Sequence, residues 1–156
     1  MSDEREMEAA TVFCGDPGRD AAIRVLRDCG AVAATPTNDG EGLELEMAEG
    51  QLVARLRSEA DDRFDSVILG AHNYFATIDT PHEQQQERVL DLLARCELMV
   101  GFQAAPAMGA ADPRWECVLR VAEQLEGMIF DGSSMRDAQG RVILASDGTS
   151  DIRIQQ

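Results

Sequence analysis

An α/β chain of the α+β kind is expected here, with helices packed on a mixed sheet in the order βαββ-αα-βαββ, and three observations carry that expectation. Apolar residues switch repeatedly between a helical spacing and a two-residue alternation. Three segments open with a capping side chain followed by proline: Asp16-Pro17, Thr80-Pro81 and Asp112-Pro113. Proline there gives up only an amide hydrogen that has no helical partner, while Asp or Thr accepts from the next free amides. One stretch, GLELEMAEGQLVARLR, alternates apolar and charged residues on both sides of a turn, as a half-buried antiparallel hairpin does. At 156 residues, with 44% hydrophobic and only 4% aromatic content, the chain suits one domain with a mainly aliphatic core.

Taken in order, residues 1–9 read as an acidic mobile tail and residues 10–147 as the domain. TVFC at 11–14 is the first strand. The helix over 17–28 offers Ala22, Val25, Leu26 and Cys29 to the core and stops at Gly30. Residues 31–41 read as a loop. In the hairpin, a Glu49-Gly50 turn pairs Met47 with Leu52, Leu45 with Ala54 and Leu43 with Leu56, and sets Glu44 across from Arg55. Residues 62–78 form a helix through Phe64, Val67, Ile68, Ala71, Phe75 and Ile78. Thr80 with Glu83 makes a capping box for the next helix, whose buried face is Val89, Leu92, Leu93 and Cys96. LMVGF at 98–102 is a strand, 104–111 a loop, and the last helix presents Trp115, Val118, Leu119, Ala122 and Leu125 before Gly127. Strands at 127–131 and 141–146 form a second hairpin through the turn-forming run Asp137 to Gly140, and 148–156 is a polar C-terminal end.

The chain has no lysine: its 14 basic residues are all arginine, against 29 Asp and Glu, for a net charge of -15. That closes the Walker A loop, the kinase-type ATP lysine, the Schiff-base lysine and the Ser-Lys dyad, each of which needs an amine at a fixed place. A field this negative repels phosphate backbones and anionic membrane surfaces, so neither nucleic acid nor a membrane is expected as a partner. The acidic N-terminus is the opposite of a basic export signal, and no apolar run approaches the roughly 20 residues that cross a bilayer. A cytoplasmic protein is expected.

Other chemistry is sparse. CGDPGRD between the first strand and helix lacks GxGxxG and reads as a tight turn. The two histidines, His72 and His82, lack metal spacing, since HExxH would need histidine where Gln86 stands. Neither GSSM nor ASDGTSD has the GxSxG elbow, and DGTSD at 147–151 lacks the positions of an EF-hand. No cofactor and no metal are expected. The four cysteines show no CxxC. Cys14 and Cys29 lie at opposite ends of a helix, roughly 18 Å apart at about 1.5 Å per residue, too far to bridge. Reduced, buried thiols are expected, with Cys14 near a helix start as the one candidate nucleophile.

The charge is unevenly spread. From Asp39 to Glu49 there are five acids and no base, and Glu59, Asp61, Asp62 and Asp65 follow with only Arg63 among them. Such a run is read either as a solvated face or as an acidic wall of Glu41, Glu44, Glu46, Glu49, Asp61, Asp62 and Asp65 that offers carboxylates to arginine and lysine of a basic partner. The wall points to a non-enzymatic binding protein, an immunity-type inhibitor of a basic toxin or effector. An acidic secretion chaperone is the alternative, and a small Cys14-dependent enzyme the second.

From Asn73 onward, NYFATIDTPHEQQQERVLDLLARCELMVGF and LEGMIFDGSSMRDAQGRVILASDG resemble a family of bacterial domains of unknown function over positions 73–148. The recurring pattern is an NYF-type helix, a second helix ending in a hydrophobic strand, and a closing FDG, QGRVIL and DG hairpin. The resemblance implies a bacterial protein, of a kind often found beside secreted toxins, and carries over no catalytic residue.

Overall fold

The computed structural model describes residues 9–38, 40–58, 61, 63–109 and 111–152. The expected tail falls outside these residues, except for Ala9, whose amide donates to the Phe102 carbonyl at 2.7 Å. The elements are β1 (Ala10–Cys14), α1 (Arg19–Arg27), β2 (Ala33–Pro36), β3 (Gly42–Met47), β4 (Gly50–Ser58), α2 (Phe64–Ala76), α3 (Glu83–Arg95), β5 (Leu98–Ala105), α4 (Trp115–Gln124), β6 (Met128–Phe130), β7 (Met135–Arg136) and β8 (Val142–Leu144). All strands join one eight-stranded sheet in the order β2-β3-β4-β5-β1-β6-β7-β8. The α+β class and the helices packed on the sheet are as expected, but the sheet is antiparallel at every pairing and is not mixed. The second half inserts β5 between β4 and β1, so the two halves share one sheet.

Both faces are covered, unequally. On the first face, α1 and α4 contribute Ala22, Leu26, Val118, Val121 and Ala122 to an aliphatic core. That core rests on alternate strand residues such as Val12, Leu45, Leu52, Leu56, Val100 and Ile129. On the second face, α2 and α3 press Phe75, Val89 and Leu93 onto Phe13, Met99, Met135, Ile143 and Leu144. Met99 and Val100 show the logic in two residues: adjacent in β5, they serve opposite cores. No helix among the described residues is long and apolar enough to cross a membrane.

Several expectations need correction. The β3–β4 hairpin exists, but its register is two residues from the expected one: Met47 pairs with Gly50, Leu45 with Leu52, Leu43 with Ala54 and Glu44 with Val53. An even slip keeps every side chain on its face, so alternation alone cannot choose between the two registers. The turn falls on Ala48 and Glu49, and Gly50 opens β4 at φ 147, where a Cβ would stand 2.8 Å from the Ala105 carbonyl oxygen. β2 lies inside the expected loop 31–41. Its sequence AATP has no alternation, and pairing with β3 makes it a strand.

The expected second hairpin is a three-strand meander. β6 pairs with β7 and β7 with β8, and the turn at Asp137 to Gly140 joins the latter two. The expected polar C-terminal end is tied down as far as Ile152: Thr80 donates to the Gly148 carbonyl at 2.6 Å, and Ile152 packs against the second core. Thr80 and Asp112 accept the amide hydrogens of His82 and Arg114 at 3.0 and 2.9 Å, as caps do, yet the regular helices begin at Glu83 and Trp115. Helix α1 begins at Arg19 after Gly18, two residues beyond the expected proline start.

Candidate functional site

The alternation that sends Leu43, Leu45, Leu52, Ala54 and Leu56 into the first core sends Glu44, Glu46, Val53, Arg55 and Arg57 to the second face. There α2 and α3 stop short: the second core draws its strand residues from β1 and β5–β8 and none from β2–β4. The result is a sheet face left open to solvent, with Glu46 exposed and Glu44 half-buried. Gln51 donates to Glu44 at 3.4 Å, and Arg55 donates to Gln103 on β5, so the expected Glu44–Arg55 pair does not form. Arg55 stands opposite Gly42 instead.

The seven acids of the expected wall fall into separate groups. Glu44 and Glu46 lie on the open face, and Glu49 is exposed at the turn that borders it. Glu41, ahead of β3, shares with Asp61 a cleft of about 470 Å³ whose other lining includes Arg19, Arg57 and Arg63. That end of β3 is about 20 Å from the Ala48-Glu49 turn, at about 3.3 Å per strand residue. Three guanidiniums there break the run of negative charge. Asp65 sits exposed in the first turn of α2. Asp62 lies outside the described residues. The carboxylates that share one surface are therefore Glu44, Glu46 and Glu49.

The cysteines form two pairs, and the expectation of four reduced thiols is corrected by one of them. Cys29, just past α1, and Cys117, in the first turn of α4, are joined as a disulfide under the first face, across 88 residues of sequence. Nothing local could have announced it, because neighbouring helices bring the two together. Cys14 and Cys96 are free, buried, and both donate to the Leu98 carbonyl, at 3.3 and 3.2 Å. Burial, with Cys96 and Asp16 adding to it, pushes the Cys14 thiol up to about 12. Burial likewise lifts Cys96 to about 11. Cys14 is thus a buried strand thiol bonded to a backbone carbonyl, a setting that raises its pKa where an activated thiol has it lowered.

Neither histidine joins an acid or thiol cluster: among the described residues no three His, Cys, Asp or Glu side chains gather as metal ligands do. Several ionic groups are structural, among them Asp112 and Asp137, which the sequence offers as a cap and a turn residue. Arg114, 1% exposed, spends its guanidinium on Asp112 and on the carbonyls of Gln51 and Pro106. Its bonds hold the Asp112 carboxyl below the usual range. Asp131 accepts from the amides of Ser133 and Ser134 and from Arg136, and Asp137 accepts from the amides of Gln139 and Arg141 and from the Arg141 guanidinium. The signal for these was present, since an Asp two residues before a Ser or Gln in a turn bonds its own backbone. No family model matches the chain, and no curated protein or solved structure matches it.

Proposed function

We propose that the chain is a non-enzymatic binding protein, an immunity-type inhibitor that neutralises a basic effector by laying the open face of β2–β4 against it. The observation that carries this reading is the placement of Glu44 and Glu46, side by side on a sheet face that no helix of the described residues covers, with Glu49 at its border. Carboxylates presented from a rigid sheet meet arginine or lysine as charge-assisted hydrogen bonds without a rearrangement of the backbone. The surrounding charge of -15 accelerates encounter with a cationic surface. Arg55, which donates to Gln103, and Arg57 lie on the same face, so a partner's bases are steered to the glutamates and away from these two guanidiniums.

The test is co-purification with the product of the neighbouring gene, followed by an activity assay of that product. A one-to-one complex with the folded product, loss of its activity, and weaker binding at high salt are expected. The pair Glu44→Arg with Glu46→Arg should weaken the complex by about tenfold or more at low salt. Unchanged affinity removes the open face from the proposal. Capture of an unfolded segment with no loss of activity would replace the inhibitor by a secretion chaperone.

A further inference from the structure

Two thiols take no part in the proposed function. Cys14 closes β1, and Cys96 caps the C-terminus of α3, two residues ahead of Leu98, the strand partner of Cys14. The two residues are 0 and 7% exposed, and each donates its S–H to the same oxygen, the Leu98 carbonyl, at 3.3 and 3.2 Å. The sulfurs are therefore no more than about 6.5 Å apart. The Cys96 thiol also bonds to the Cys14 backbone. Yet these two are free, whereas Cys29 and Cys117 are joined. A disulfide needs its sulfurs about 2.05 Å apart. A cation held in line between two thiolates needs about 4.6 Å, at about 2.3 Å for each metal–sulfur bond. Two sulfurs that touch without bonding stand closer to the second spacing than to the first.

The donor set narrows the choice of ion. Among the described residues no third His, Cys, Asp or Glu joins the pair, so zinc, which takes four ligands in structural sites, is poorly served here. Soft thiolates select copper(I), which accepts two sulfurs in line. The surroundings also favour a cation. Asp16 and Glu97 lie near enough to oppose a bare thiolate, and the same charges attract a positive ion. Cys96 stands at the C-terminal end of α3, the negative end of the helix dipole. A cleft of about 470 Å³, lined by Gly15, Asp16, Pro17, Leu92, Arg95 and Glu126, reaches the residues that flank both cysteines and gives the ion a way in.

We infer that Cys14 and Cys96 together bind one copper(I) ion. Each sulfur forms one bond to the metal as its proton passes to solvent, and no electron is transferred. The Leu98 carbonyl oxygen, which accepts both S–H groups, then faces the ion in place of the two protons. The pair shares no residue with the open face of β2–β4, so this site and the inhibitor reading can each fail without the other.

The test loads the wild-type chain with copper(I) in anaerobic solution against a competing copper(I) chelator, which keeps the ion from surface carboxylates. One equivalent per chain is expected, with thiolate-to-copper charge-transfer absorption in the ultraviolet and two sulfur neighbours in X-ray absorption. Zinc(II) should not displace it. Cys14→Ala and Cys96→Ala, each checked for folding by circular dichroism, should each bind copper(I) at least about 100-fold more weakly, since even the groups behind a metal ligand are worth about 10- to 100-fold. Should either variant fail to fold, the X-ray absorption of the wild type decides alone. Failure of the native chain to take copper(I) from the chelator overturns the proposal. So does copper surrounded by nitrogen or oxygen, or binding that survives the loss of either cysteine.

Discussion

The two wings of the sheet, β2–β4 and β6–β8, flank the central β5–β1 pair and use the same functional group in opposite ways. The first wing has strands of four, six and nine residues, and its ladder fixes its shape. Its glutamates project from the strands. The second wing has strands of three, two and three residues, too short for the ladder alone. There Asp131, Asp137 and Asp151 turn back onto backbone amides, and Arg136 and Arg141 lock the first two of them. The shorter side chain reaches its own backbone and the longer one does not. Acidity by itself therefore says nothing about binding: a carboxylate consumed within its own turn is unavailable to a partner.

The largest effect should come from uncoupling the wings. Helix α1 packs on β3 and α4 on β1 and β6, and the Cys29–Cys117 disulfide ties these two helices. Replacing both cysteines by serine should lower stability by about 2–4 kcal/mol in chemical denaturation, and the double change avoids a lone reactive thiol. If the wings are independent, the denaturation curve should split into two steps. A single shifted transition keeps them one cooperative unit.

The wings also differed in how far the sequence disclosed them. Alternation in the first wing identified the hairpin, its faces and the placement of Glu44 and Glu46 away from the core, but a repeat of two is blind to a slip of two. The edge strand AATP carries no pattern to read, and that Glu44 and Glu46 face solvent depends on where α2 and α3 end, which is a tertiary outcome. In the second wing the turn at Asp137 to Gly140 was legible from its residues, whereas a two-residue strand has no period at all. The Cys29–Cys117 pairing likewise follows from how distant elements meet, whereas the burial of Cys14 was expected from its place in the first strand.

Breaking a turn in the second wing comes next in size. Burial alone would raise the Asp131 carboxyl, but the bond to Arg136 and the amides of Ser133 and Ser134 outweigh it and hold the group below the usual range. Asp131→Asn keeps the shape and removes the charge, and should cost about 1–2 kcal/mol at pH 7. Because the folded carboxyl titrates lower than the unfolded one, its contribution is complete above about pH 4 and is lost as pH falls through the folded value. The melting temperatures of wild type and variant should therefore converge in acid. A gap that persists unchanged to pH 2 assigns the loss to packing instead of charge.

The smallest effect on stability belongs to the first wing, and it sharpens the contrast most. Glu44→Gln with Glu46→Gln removes two carboxylates, of which Glu44 accepts a long contact from Gln51. Stability should stay within about 0.5 kcal/mol of wild type, as for exposed sites with no special role, or rise slightly as self-repulsion falls. A loss of about 2 kcal/mol or more would mean that these glutamates, like Asp131, are spent inside the molecule. An unchanged melting temperature leaves their charge free for an external partner, and binding is then the property these two residues can still alter.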